Sequence, residues 1–349
     1  MKRNFTVLVL IILTLSFLPA CAGPGKPSGP VRYEAEFIGL FDTLTQIIGY
    51  ADKKEDFEKE VQLLKDDLEV YHQLYDIYKS YPGIVNLHDI NEKAGQGPVA
   101  ADPRIIGMLL FARDSYELTR GRVNITMGSV FSIWHRYREA GLFEPESAAL
   151  PPRDLLAEAG RHASMEDLVI DMEKGTVELL DPAMRLDVGA VAKGYAVEQA
   201  ARHSEERGTR HLLISVGGNV RAIGRRNDEG DYWRVSVENP DPEGEGYLTT
   251  LNIDGLSVVT SGVNERFYVV DGKAYHHIID PDSLFPENRY LSVTIVTPDS
   301  GLADILSTAL FNLELEEGQE LIASLPDTEA LWCLPDGSLT ESPGFAAYR

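Results

Sequence analysis

From about residue 166 the chain is written in short apolar runs punctuated by turn residues, and this pattern limits the available folds more than any other. "RFYVVDGKAYHHIIDP" (residues 266–281) places Asp-Gly between two such runs. That pair favours a β-hairpin because both central residues of a two-residue turn need a positive φ. "EALWCLPDGSLT" (329–340) repeats the device, and "DLVIDMEKGTVELLD", "HLLISVGGNVRAIG", "DYWRVSVENP", "TTLNIDGLSVVTSG" and "YLSVTIVTP" supply further strands. Strands joined by tight turns pair antiparallel, whereas a parallel pair needs a long crossover.

The first half reads differently. Residues 55–80 predict one long amphipathic helix, with Phe57, Val61, Leu64, Leu68, Tyr71, Tyr75 and Tyr78 at steps of three and four. Asp52 and Glu55 are spaced as its capping box. Asp102 and Pro103 open a second helix that Gly121 closes. "GSVFSIWHRYREAG" and "PPRDLLAEAG" read as a third and a fourth, and "EFIGLFDTLTQIIGYA" as a strand pair or one bent strand. Helices gathered ahead of hairpin-linked strands define an α+β chain, not an alternating βαβ one.

The N-terminus carries Lys2 and Arg3, an apolar run from Val7 to Phe17, and then "LPAC". A run this short is a secretory h-region. A small residue before Cys21 has the form of a bacterial lipobox, so residues 1–20 are expected to be a lipoprotein signal peptide and Cys21 the lipidated first residue. Residues 21–34, rich in Gly and Pro, then form a flexible tether, and residues 35–349 the folded domain. The expected location is the outer face of the bacterial cytoplasmic membrane, reached through the lipid anchor alone. Cys333 is the one other cysteine, so lipidation of Cys21 leaves no intramolecular disulfide and no cysteine-based metal site.

A net charge of −23 argues against nucleic-acid binding, which needs a basic footprint. An anionic small ligand would need local cations, a metal or helix N-termini. The chain has no Gly-x-Gly-x-x-Gly opening a helix after a strand, no Walker loop, no His-Glu-x-x-His and no Gly-x-Ser-x-Gly. In "LDVGAVAKGYAVEQ" an apolar strand turns into a helix at Gly189, with Asp187 before the turn and Lys193 one turn in, within reach of a phosphate. A plain strand–helix junction would show the same residues. "SVGGNV" and "VVTSG" end apolar strands in small residues that let a ligand approach the backbone. In "YHHIIDP" only one of the adjacent histidines can face a site. "GLADILSTALFNL" (301–313) is an apolar helix carrying Asp304 and Thr308 one turn apart. These are hard oxygen donors suited to Mg²⁺ or Ca²⁺, unless Asp304 simply faces water.

"DVGAVAKGYAVE", "SVGGN", "VVTSG", "HHIIDP" and "ADILSTALFNL", in this order, together with "FDTLTQIIGYA" and "NLHDIN", resemble the ApbE family of FAD:protein FMN transferases over roughly residues 35–345. The resemblance implies a T-fold-like architecture that binds FAD without a Rossmann turn. It implies Mg²⁺ held by Asp304, Thr308 and the Ala190 carbonyl. Flavin-nucleotide contacts would come from Asp187 and Lys193, with Asn219 and Ser261 in the glycine-turn and "TSG" motifs. His277 takes the place of the active-site histidine, and Asn91 and the segment Arg122, Val123 and Asn124 line the FAD pocket. Asn124 stands where many relatives carry an acid. The implied reaction transfers FMN from FAD to a Thr or Ser hydroxyl of an exported acceptor, such as an electron-transport subunit, and releases AMP. A Mg²⁺-dependent FAD pyrophosphatase and a non-catalytic flavin-binding lipoprotein are the alternatives.

Overall fold

A computed structural model describes residues 29–349 except positions 228, 242, 243 and 245. Cys21 and the signal segment lie outside the described residues. The elements run β1 (Val31–Leu40), β2 (Thr43–Ala51), α1 (Lys54–Tyr75), α2 (Leu87–Glu92), β3 (Val99–Ala100), α3 (Pro103–Leu118), α4 (Gly128–Phe143), α5 (Arg153–Gly160), β4 (Leu168–Asp171) and β5 (Thr176–Leu179). The second half continues with α6 (Ala192–Glu206), β6 (Leu212–Val216), β7 (Asn219–Ile223), β8 (Trp233–Glu238), β9 (Tyr247–Ile253), β10 (Ser257–Gly262), β11 (Phe267–Val270) and β12 (Lys273–His276). It closes with β13 (Ser292–Thr297), α7 (Ser300–Phe311), α8 (Leu315–Ala323), β14 (Glu329–Cys333) and β15 (Leu339–Glu341).

The α+β expectation holds. Eight strands form one antiparallel sheet in the order β1-β2-β6-β7-β10-β13-β14-β15, open at both ends and so not a closed barrel. α6 and α7 pack together, α7 lies against β10 and β13, and α1 packs on α6. Apolar residues of the β8–β9 hairpin (Trp233, Val237, Leu251) join those of the sheet (Val220, Val258, Val296, Leu331) in a separate core. Covered on both sides, β13 buries all six of its residues, the hydroxyl residues Ser292, Thr294 and Thr297 included, and the two threonine hydroxyls pair with those of Thr260 (2.8 Å) and Thr328 (3.0 Å). α4, α5 and the detached β11–β12 ribbon share an aromatic core around Trp134 and Tyr268.

The hairpins form as expected. Asp271 and Gly272 have φ of 52° and 77° between β11 and β12, and Gly217 and Gly218 have 51° and 83° between β6 and β7. "FDTL" turns the first strand pair, with β1 beginning at Val31, inside the segment read as tether. Asp102 caps α3 through the Arg104 N–H at 2.9 Å.

Three local expectations fail. α1 stops at Tyr75, because the Asp76 carboxylate takes the N–H groups of Tyr78 (2.7 Å) and Lys79 (3.2 Å) and the Tyr81 hydroxyl, offering the chain a turn in place of another helical turn. The Asp52/Glu55 capping box is absent, since α1 starts after Lys53 with no side-chain cap; a capping box forms instead at Asn86 and Asp89 of α2. The segment before α6 is not a strand. Asn91, 95 residues upstream of Leu186, donates to its carbonyl (2.9 Å) and accepts from its N–H (2.7 Å), and the Asp187 N–H goes to Ile125. With its backbone groups taken, the segment has no strand partner to seek.

Candidate active site

α6 and α7 cross closely because residue 194 is glycine. A Cβ there would meet Asp304 Cβ at 2.4 Å and the Ser300 carbonyl at 2.5 Å. The close approach lets the Gly194 N–H, left without an intrahelical acceptor in the first turn of α6, donate to Asp304 Oδ2 at 2.8 Å. Asp304 is buried, which pushes its carboxyl up from the ordinary value, while Lys193 and the Gly194 N–H act in the opposite direction. Lys193 Nζ stands 3.9 Å from Asp304 Oδ1 and is held there by donating to the side-chain amide oxygen of Asn219 at 2.6 Å. The carboxylate thus faces inward, toward one cation, Lys193, and one backbone N–H donor, Gly194.

Asp304 forms one wall of a cleft of about 700 Å³ that also exposes Thr308, Ala190, Lys193, Asp187, Ser261 and His277. Arg122, Val123 and Asn124 line it as well. Asn91 and Asn219 stand behind this lining. Asn91 sets the path of the chain into Asp187, and Asn219 sets Lys193. Among the described residues no N–H donates to the Ala190 carbonyl. Ser261 is tied to α7 through Ser307 (2.8 Å), whose hydroxyl donates to the Asp304 carbonyl at 2.9 Å.

The two histidines divide as strand geometry requires. His276 is buried with both ring nitrogens engaged, Nε2 against the Glu287 carbonyl (2.7 Å) and Nδ1 accepting from the Ile278 N–H (3.2 Å). His277 lines the cleft, and its Nδ1 has no hydrogen-bond partner. Burial, reinforced by Arg266 and His276, pushes its pKa down to about 3, so the ring is neutral at pH 7.

Arg122 is less free than expected, for its Nη1 bridges Asp280 (3.2 Å) and Asp282 (2.6 Å) and pins the "IIDP" segment. Asn124 accepts from the Thr126 N–H (2.9 Å) and hydroxyl (2.6 Å) and donates to the Ala163 carbonyl (3.0 Å). An aspartate could not make the last bond, which accounts for the amide here. The sequence reading missed Trp134, Tyr268, Arg138 and Arg266, all of which line the cleft. The crowding of aromatic and basic residues in "SIWHRYR" was the available sign.

Comparison with known proteins bears on this arrangement. Residues 41–332 match the model of the ApbE family. The chain belongs to the ApbE family. It is 29% identical over 280 residues to an FAD:protein FMN transferase of Klebsiella pneumoniae, covering 78% of this chain and 84% of that protein. It is 32% identical over 272 residues to an FAD:protein FMN transferase of Treponema pallidum, covering 73% and 72%. The crystal structure of the ApbE protein of Thermotoga maritima superposes with a TM-score of 0.78 at 26% identity, covering 91% of this chain and 99% of that one. Every strand and helix bordering the cleft falls within the residues matched to the family.

Proposed function

We propose that this protein is an FAD:protein FMN transferase that moves FMN from FAD onto a Thr or Ser hydroxyl of an exported acceptor and releases AMP. The observation that carries this reading is the inward-facing Asp304 beside Lys193, in a family cleft large enough for a dinucleotide.

The donor set fits a hard divalent cation. Among the described residues no cluster of three or more His, Cys, Asp or Glu side chains could hold a metal, so any ion here would rest on one carboxylate with neutral oxygens. Asp304, Thr308 and the uncommitted Ala190 carbonyl are such a set. It suits Mg²⁺, which keeps several waters and binds substrate phosphates. Bound there, Mg²⁺ would neutralise diphosphate charge and polarise the phosphorus.

The chain's own residues divide the remaining work. In the transfer the acceptor oxygen bonds to the FMN phosphorus as the phosphorus–oxygen bond to AMP breaks. Asp304, its carboxylate held toward the cleft by the Gly194 N–H, takes the hydroxyl proton. Lys193, aimed by Asn219, offsets charge developing on the departing phosphate. His277 is too weak a base to hold a proton at pH 7 and serves as a neutral hydrogen-bonding partner that orients substrate.

Incubation with FAD, Mg²⁺ and a Thr-containing exported flavoprotein domain tests the reading. The expected result is a covalent fluorescent flavin on the acceptor, with AMP in equal amount. Free FMN without labelled acceptor would replace transfer by hydrolysis, and unchanged FAD would refute both. From the sequence we further propose lipidation at Cys21 and anchoring of the exported protein to the membrane. No helix of the described residues is long and apolar enough to cross one. Palmitate labelling that survives Cys21→Ala would refute the anchor.

A further inference from the structure

Asp304 is positioned by a second contact between α6 and α7, one turn away on each helix. Residues 194 and 304 meet at one point, and residues 198 and 300 at the other. Glu198 is 3% exposed. Its Oε2 accepts from the Ser300 N–H at 3.0 Å and from Arg221 Nε at 3.0 Å, and its Oε1 accepts from Arg202 Nε at 2.9 Å. Arg202 also reaches Asp299 at 2.9 Å, and Asp299 caps α7 through the Leu302 N–H at 2.9 Å. Arg221 lies on β7 two residues beyond Asn219, the residue that holds Lys193.

The chemistry of this cluster is unusual for a structural ion pair. A buried carboxylate paired with arginine commonly adds little stability over apolar residues of the same size. Here one of its oxygens is spent on the first free N–H of the helix that carries Asp304, where a negative charge is favoured. Arg221 fixes that carboxylate to the sheet. The chain β7–Glu198–Ser300 therefore sets both the axial register and the distance of α7, and Asp304, one turn further along, inherits its position.

We infer that Glu198 is a positioning residue for the cation site, holding α7 so that Asp304 presents its carboxylate beside Ala190 and Lys193. The inference rests on the metal reading given above. The test is Mn²⁺ binding to the intact protein, followed by electron paramagnetic resonance of free Mn²⁺ in the absence of FAD, with thermal unfolding measured on the same samples. Glu198→Gln keeps the size and loses the charge. It is expected to weaken Mn²⁺ about tenfold, the lower end of the range for residues that orient metal ligands, and excess Mn²⁺ is expected to restore transfer. Should that variant fold poorly, Glu198→Met with Arg221→Met removes both charges and leaves an apolar fill. It is expected to melt near the parent and still bind Mn²⁺ weakly. Parental Mn²⁺ affinity in either folded variant overturns the inference. Asp304→Ala separates the two levels: if it binds Mn²⁺ as the parent does, the cation site itself is misplaced and the role of Glu198 falls with it. If only Asp304→Ala loses Mn²⁺, the site stands and the positioning role does not.

Discussion

Replacing Gly194 by alanine isolates the contact on which the site depends. Ordinary carbon contacts lie near 3.5 Å, so a methyl group 2.4 Å from Asp304 Cβ and 2.5 Å from the Ser300 carbonyl forces α6 and α7 apart by roughly 1 Å. Alanine improves helix propensity by about 1 kcal/mol. Against this stand about 1–3 kcal/mol for overpacking and about 1.5–3 kcal/mol for the stretched hydrogen bond to the Asp304 carboxylate. The net cost is roughly 1.5–5 kcal/mol, read as a lower urea midpoint with unchanged slope. Flavin transfer by the folded protein should also fall about a hundredfold, because a reacting group displaced by ~1 Å loses about that much. Gly107→Ala in α3 is the control. It gains the same propensity, and its Cβ meets only the Tyr195 hydroxyl at 3.0 Å, the end of a side chain, so stability within ~1 kcal/mol of the parent and normal transfer are expected. A Gly194→Ala protein that transfers flavin at the parental rate would refute the argument that close helix approach places Asp304.

Other outcomes follow from single contacts. Asp304→Ala should abolish transfer with the circular dichroism spectrum unchanged; retained turnover in the presence of Mg²⁺ would remove Asp304 from the chemistry. Asn91→Ala strands both backbone groups of Leu186 in the interior. It should cost about 2–4 kcal/mol by urea denaturation, each unpaired buried group accounting for about half. Asn124→Asp keeps the size and an acceptor oxygen but loses the bond to the Ala163 carbonyl; the expected result is a lower melting temperature with no gain in turnover. His277 gives stability a pH dependence of known sign. The unfolded ring takes up a proton below about pH 6.5, whereas the folded ring waits until about 3. Stability is therefore complete above 6.5 and declines as pH falls through that window. His277→Gln should melt with a flatter profile between pH 7 and 5, and an unchanged profile would contradict the burial of the neutral ring.

What could be read from the sequence divides along a physical line. Local codes were legible: Asp271-Gly272 needs nothing beyond its own φ angles to make a hairpin, and Asp102-Pro103 needs only its neighbours to start α3. Codes completed by distant residues were not. "MRLDV" alternates like a strand, yet Asn91 supplies the hydrogen bonds a neighbouring strand would have given, and nothing in five residues reveals a partner 95 positions away. One local code was hidden too: Asp76 ends α1 through N–H groups only two and three residues on, and an uninterrupted apolar period conceals it. The site follows the same division. Asp304 stood out because a carboxylate on an apolar helix requires a reason. Glu198 did not, since a glutamate one turn beyond Gly194 on an amphipathic helix looks solvated until Ser300 and Arg221 close over it. A charge is conspicuous in sequence when its own element is apolar, and silent when the element that buries it comes from elsewhere in the chain. On that ground the positioning groups of a site such as this one should be sought among ordinary-looking charges on helices that a second helix covers, and Glu198 meets that description.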